Sequence, residues 1–335
     1  MLTNSIIKNV TTTIAATAAV AGVTVSAASA DSLKFASWVP PFHTITKGVV
    51  EPLTNAIVEG TGGATEVEYF AGGELGAGPL EQYVRVVQGV ADMSWGLPGY
   101  TSSQFPKTML AELPGAKGDM PGYELLWNAY DAGMLESEFP GTKPLALWLS
   151  EPNVFIMKDH EIRTPDDVKG LKIRVSGAIA GDVIAALGAT PVQMPAGEIY
   201  NALQTGLIDG VVTGTSAVGD FKLDEVANSY TYNVPLGQIA FYTIINKAAY
   251  DGLSAEGKAA IDGIAGRPLS KSAEDAWNAK ADAVLESMKA AGDNTIITLT
   301  DEESAAFAEL TLPVAAKVVS GLGAEDVYKT MRGEM

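Results

Sequence analysis

The chain contains no cysteine. That removes thiol nucleophiles, thiolate metal sites, iron–sulfur clusters and disulfides together. Histidine is nearly as scarce. His43 and His160 are the two in the chain, they lie far apart in sequence, and no metal-ligand spacing surrounds either, so no metal site is expected. Basic residues are few, 22 Lys and Arg against 40 Asp and Glu, for a net charge of −18. Without a Lys/Arg cluster to neutralise phosphates, nucleic acid is excluded as a partner. The same imbalance means that an anionic ligand must be held by a specific local cation, not by the field of the whole molecule. Arginine in particular is rare: Arg85, Arg163, Arg174, Arg267 and Arg332 are all there are.

Catalytic motifs are missing as well. Ser216 in "GTSAVG" lacks the G-x-S-x-G spacing of a nucleophile elbow. The runs "GTGGA" and "GGELGAG" match neither a phosphate loop nor a dinucleotide fingerprint. Asp166-Asp167 and Glu302-Glu303 fall at expected helix starts, where acids favour the helix dipole. Nucleophile, base and oxyanion donor do not come together. No catalytic residue and no cofactor is expected, and binding is favoured over catalysis.

What is present is a chain of 335 residues, 47% hydrophobic and 19% charged, long enough for two domains of ordinary size. Residues 9–30, "NVTTTIAATAAVAGVTVSAASA", carry no charge, follow Lys8 and end in a small-x-small signature. They read as a secretory leader (1–30) cut after Ala30, since their many Thr and Ser make a poor membrane span. No later segment is expected to reach the roughly 18 apolar residues that a span needs.

A repeat suggests the architecture. "EQYVRVVQGVAD" (81–92) and "EIYNALQTGLID" (198–209) align without gaps, matching Glu81 with Glu198, Tyr83 with Tyr200, Gly89 with Gly206 and Asp92 with Asp209. Each reads as a helix closed by a Gly cap and followed by a short strand. Strands are expected at 33–39, 65–70, 90–95, 171–175, 190–194, 210–213 and 294–299. Helices are expected at 44–59, 79–88, 178–187, 197–205, 270–291 and 301–320. Such alternation implies an α/β fold with mostly parallel sheets, two lobes, and a ligand cleft and hinge between them. In open parallel sheets ligands sit beyond the carboxyl ends of strands. Arg174, next to last in "GLKIRV" and followed by the loop "SGAIAG", is placed for that role, and the helix starting near Ala178 would add a favourable dipole. His43, after "WVPPF", is a second cleft candidate.

The blocks "RTPDDVKGLKIRV", "LGATPVQMPAGEIYNALQTGLIDG", "GGELGAGPLEQYVRVVQGVADMSW" and "INKAAYDGLSAEGKAAID" occur in an order that resembles the solute receptors of tripartite ATP-independent periplasmic (TRAP) transporters, the DctP-like family. The likeness covers roughly residues 33–320. It implies a two-lobed, periplasmic-binding-protein-like receptor that closes on a small organic acid and delivers it to a membrane permease, with Arg174 on the ligand carboxylate. Relatives often carry a second arginine where Asn153 stands and an asparagine where Thr213 stands, so a C4-dicarboxylate is disfavoured. A monocarboxylate with an apolar, hydroxy or aromatic remainder fits better, with Trp38, Phe42, Trp95, Tyr100 and Phe221 near cleft-facing loops. The resemblance further implies lobe I at 31–152 plus roughly 238–270, lobe II at 153–237, and a C-terminal segment, 271–335, packed across both. A receptor for an ATP-driven importer and an exported hydrolase or isomerase on the same scaffold are the alternatives.

Overall fold

The computed structural model describes residues 31–334; the expected leader lies outside them. Eleven strands are described: β1 (Asp31–Ala36), β2 (Thr65–Phe70), β3 (Met93–Gly96), β4 (Thr142–Leu149), β5 (Val154–Met157), β6 (Lys172–Val175), β7 (Thr190–Gln193), β8 (Gly210–Thr213), β9 (Ser229–Tyr232), β10 (Ala240–Asn246) and β11 (Thr295–Thr298). They form two sheets, one per lobe, ordered β2-β1-β3-β10-β4 and β7-β6-β8-β5-β9-β11. Each is parallel except for one strand. β10 runs antiparallel to β3 and β4, and β5 runs antiparallel to β8 and β9. The reversed strand is in each case the one that has just crossed over from the other lobe, so the two sheets share one plan.

The sequence repeat marks that shared plan. Gly89 and Gly206 both take positive φ, 72° and 73°, and so turn each copy out of its helix. Asp92 and Asp209 then do the same job at equivalent places. Asp92 accepts a hydrogen bond from the backbone N–H of Lys34 in β1 at 2.8 Å, and Asp209 accepts one from that of Lys172 in β6, also at 2.8 Å. Each aspartate thereby locks a helix-to-strand turn onto the neighbouring parallel strand, β1 beside β3 and β6 beside β8.

Two expected helices differ from observation. The one expected at 44–59 contains a wide π turn, Thr46–Val50, before continuing as the α-helix Glu51–Gly60. Pro52 has no N–H to bond back into the previous turn, and the helical register widens just upstream of it. The one expected at 301–320 is two helices, Asp301–Thr311 and Pro313–Leu322, divided at Pro313. Contrary to expectation, Asp301–Leu322 has the length and composition of a membrane-crossing helix. Three acids in its first turn and the burial of Phe307, Thr311, Val314 and Val319 tie it to the fold instead. Its start is capped as expected, with Glu303 accepting from the Thr300 N–H at 2.8 Å.

The long helix Arg267–Ala291 runs past both lobes. Glu274 accepts from the N–H groups of Gly122 and Tyr123 on the first-sheet side, and Met288 is buried in the core of the second. Its placement brings Trp277 and Lys280 to the gap between the lobes.

Candidate functional site

Strand β6 carries Lys172 outward and buries Ile173, Arg174 and Val175. Lys172 and Arg174 share a face by strand alternation, yet their environments are opposite. Lys172 is exposed, whereas Arg174, at the carboxyl end, is covered by the other lobe and is 1% exposed. Its Nε donates to the Met194 carbonyl at 3.0 Å, and its Nη2 approaches the Tyr100 hydroxyl at 3.5 Å. No carboxylate among the described residues is within ion-pair distance of it. The other four arginines each have one: Arg85 with Glu81, Arg163 with Glu161, Arg267 with Glu124 and Asp131, Arg332 with Glu334. In a chain with 40 acids, the most buried arginine is the one left unpaired. Burial pulls its pKa down, and the neighbouring Tyr100 opposes that shift.

Arg174 opens onto a cavity between the lobes, at the carboxyl ends of β1, β3, β6 and β8. The cavity contains about 460 Å³ of empty space including its mouth. Of the residues expected at the site, Trp38, His43, Trp95, Tyr100, Arg174, Thr213 and Phe221 all line it. Trp38 stacks between Trp95 (ring centroids 5.3 Å apart) and Phe221 (6.2 Å), with Tyr100 edge-on at 6.2 Å. The indole N–H of Trp38 is buried without a hydrogen-bond partner. The Tyr100 hydroxyl accepts from the Ala196 N–H at 2.9 Å. Burial raises its pKa, so the hydroxyl keeps its proton at neutral pH.

His43 is buried against Trp95, Phe221 and Trp277. Its Nδ1 accepts from the Ile45 N–H at 3.1 Å, which leaves the ring proton on Nε2, 3.5 Å from Asp220. Burial lowers its pKa to about 4, so the ring is neutral at physiological pH.

Three expectations come out differently. Asn153 lies outside this cavity and lines another, beside Glu151, Thr215 and Tyr232. It stands where the chain crosses from β4 to β5, and its N–H bonds the Gly237 carbonyl of the return crossing at 3.0 Å. Phe42 is 67% exposed. The start of the helix Ala178–Ala186 is turned to Ser102 of the opposite lobe, whose hydroxyl receives the Ala178 N–H at 3.4 Å, and is not among the lining groups. Gly177 packs so closely on Gly99 there that a Cβ would overlap it.

Sequence reasoning missed Phe241, Trp277 and Asp220, which also line the cavity. Trp277 carried one signal, as a lone large ring in the otherwise small and charged "SAEDAWNAKAD".

Residues 35–321 match the family described as bacterial extracellular solute-binding protein, family 7 (DctP). The C4-dicarboxylate-binding periplasmic protein DctP of Rhodobacter capsulatus is 32% identical over 57% of this chain, a stretch equal to 56% of that protein's own length. The ectoine-binding periplasmic protein TeaA of Halomonas elongata is 28% identical over 77% of this chain and 76% of its own. Among solved structures, a marine metagenome TRAP solute-binding protein, specific for aromatic acid ligands and in complex with 3-hydroxybenzoate, superposes with a TM-score of 0.84 at 28% identity, covering 91% of this chain and 98% of that one. With a two-lobed fold, a cleft at the strand ends and this match over most of its length, the chain belongs to the bacterial extracellular solute-binding proteins of family 7.

Proposed function

We propose that the protein is the extracytoplasmic receptor of a TRAP transporter and that its ligand is a small aromatic monocarboxylate. The observation that carries this reading is Arg174, a desolvated guanidinium with no carboxylate among the described residues within ion-pair distance. A buried unpaired cation costs several kcal/mol, on the order that a bound carboxylate recovers. The guanidinium fork matches a carboxylate bidentately. Tyr100, whose oxygen already takes the Ala196 N–H and faces an Arg174 N–H, has its own proton left to donate to the same group. The rings of Trp38, Trp95, Phe221, Phe241 and Trp277 offer flat apolar walls, which suit a planar ring and leave a second carboxylate without a partner.

Receptor action follows from the site's construction. Arg174 and Thr213 come from one lobe, Trp38, Trp95 and Tyr100 from the other, so the ligand completes contacts that exist when the lobes meet. Its binding energy shifts the population toward the closed form, which the permease receives. We place the hinge at the crossings 150–153 and 233–239. The leader is removed after Ala30 and the protein works in the periplasm; sequencing the exported protein's N-terminus tests this and should begin at Asp31.

Screening melting temperature against an organic-acid library tests the ligand class, since a ligand bound by the native state alone raises it. Benzoate-like acids should raise it by several degrees, and succinate should not. Calorimetry on Arg174→Ala should then show affinity reduced at least about a hundredfold. Unchanged affinity in that variant would sink the assignment.

A further inference from the structure

Asp220 ends the short helix Ser216–Asp220 and lines the ligand cavity, with a side chain 2% exposed. Its two oxygens are differently placed. Oδ2 accepts from the Thr44 hydroxyl at 2.8 Å and faces the Thr44 N–H and His43 Nε2, each at 3.5 Å. The Thr44 contacts join residues 176 apart in sequence and bind one lobe to the other. Oδ1 is buried and forms an ion pair with the ammonium of Lys280 at 3.6 Å, but it receives no hydrogen bond. A buried acceptor without a donor is unfavourable and is normally satisfied by something.

The cavity therefore has a cation, Arg174, and an anion, Asp220, that are not within ion-pair distance of each other. Each has capacity to spare. The ligand group that Asp220 takes must be a hydrogen-bond donor. A second carboxylate would be repelled by it, and an ammonium would meet the nearby charge of Lys280. A neutral hydroxyl satisfies both constraints.

We propose that Asp220 Oδ1 accepts a hydrogen bond from a hydroxyl on the ligand, so that the receptor selects hydroxylated aromatic acids over the plain acid. This rests on the aromatic monocarboxylate reading above. Because the other oxygen of Asp220 holds Thr44 across the cleft, the hydroxyl contact and lobe closure act through one side chain.

The test is calorimetric titration with benzoate, 3-hydroxybenzoate and 4-hydroxybenzoate. The wild type should bind the better hydroxy isomer about tenfold or more tightly than benzoate, as expected for a bond to a charged acceptor. Asp220→Ala should bring that ratio close to one. Thr44→Val removes the inter-lobe bond and spares the acceptor, so all three affinities should fall together with the ratio kept. Asp220→Asn, of the same shape, guards against a folding defect and should reduce the ratio severalfold. Benzoate binding without any gain from hydroxylation overturns the inference and leaves the aromatic-acid reading standing. So does a gain that survives in Asp220→Ala. Failure of all three acids to bind the wild type overturns both.

Discussion

Tyr100 meets Arg174 from the opposite lobe, and its hydroxyl oxygen also takes the Ala196 N–H. Removing that oxygen leaves the ring in place and the guanidinium less firmly oriented. Tyr100→Phe should fold normally and bind an aromatic acid about tenfold more weakly, the usual loss for one hydrogen bond in a desolvated site. Titration of the variant beside the wild type reads this directly, and equal affinities would remove Tyr100 from the site. Arg174 was legible in the sequence because arginine is rare here and this one sits at a strand end. Tyr100 was legible as a ring near the cleft, but its hydroxyl's partners were not. Asp220 was invisible for a physical reason: what distinguishes it is Thr44, a contact across the cleft that no local pattern encodes.

Among the elements, those with a period were read well and those without were not. The helix-then-strand repeat showed itself because each copy needs a left-handed glycine and an aspartate at fixed offsets. β4 ("TKPLALWL") and β10 ("AFYTIIN") sit side by side in the first sheet and are buried almost throughout. Their apolar runs lack alternation, so periodicity cannot tell them from buried helix. Hence the mostly parallel sheets were expected and the single reversed strand in each was not. The paired aspartates give a test at this scale. Asp92→Ala and Asp209→Ala each remove an acceptor from a strand N–H and should each cost about 1–2 kcal/mol in urea unfolding. Sitting in separate lobes with no shared partner, their costs should add within about 0.5 kcal/mol. A double variant no worse than either single one would mean that the two turns are not equivalent, independent locks.

Across the whole molecule, the two lobes are connected by the crossings, and an acid supports the second of them. Glu112 is 2% exposed; its Oε1 accepts from the Ala240 N–H at 3.0 Å, and its backbone carbonyl receives the Gln238 N–H at 3.4 Å. Gly237, at φ 76°, passes so close that a Cβ would overlap that carbonyl. Burial raises the Glu112 pKa from its ordinary 4.5 to about 8, and the Ala240 N–H only partly opposes this. Below pH 4.5 the carboxyl is protonated in both folded and unfolded chains and contributes no slope. Between pH 4.5 and 8 the folded protein binds the proton that the unfolded chain has released, so stability falls as pH rises, by an amount on the order of a few kcal/mol, and levels off above 8. Glu112→Gln retains the acceptor for Ala240 and removes the titration. Its melting temperature should match the wild type near pH 4.5 and exceed it by several degrees at pH 8. The comparison isolates this group from the opposing contribution of His43, whose buried neutral ring favours the fold above pH 6.5 and loses that advantage as pH falls toward 4. A difference between variant and wild type that stays constant with pH would mean that Glu112 is charged in the folded protein, and the crossing at Gly237 would then be held by an anion instead of a neutral acid.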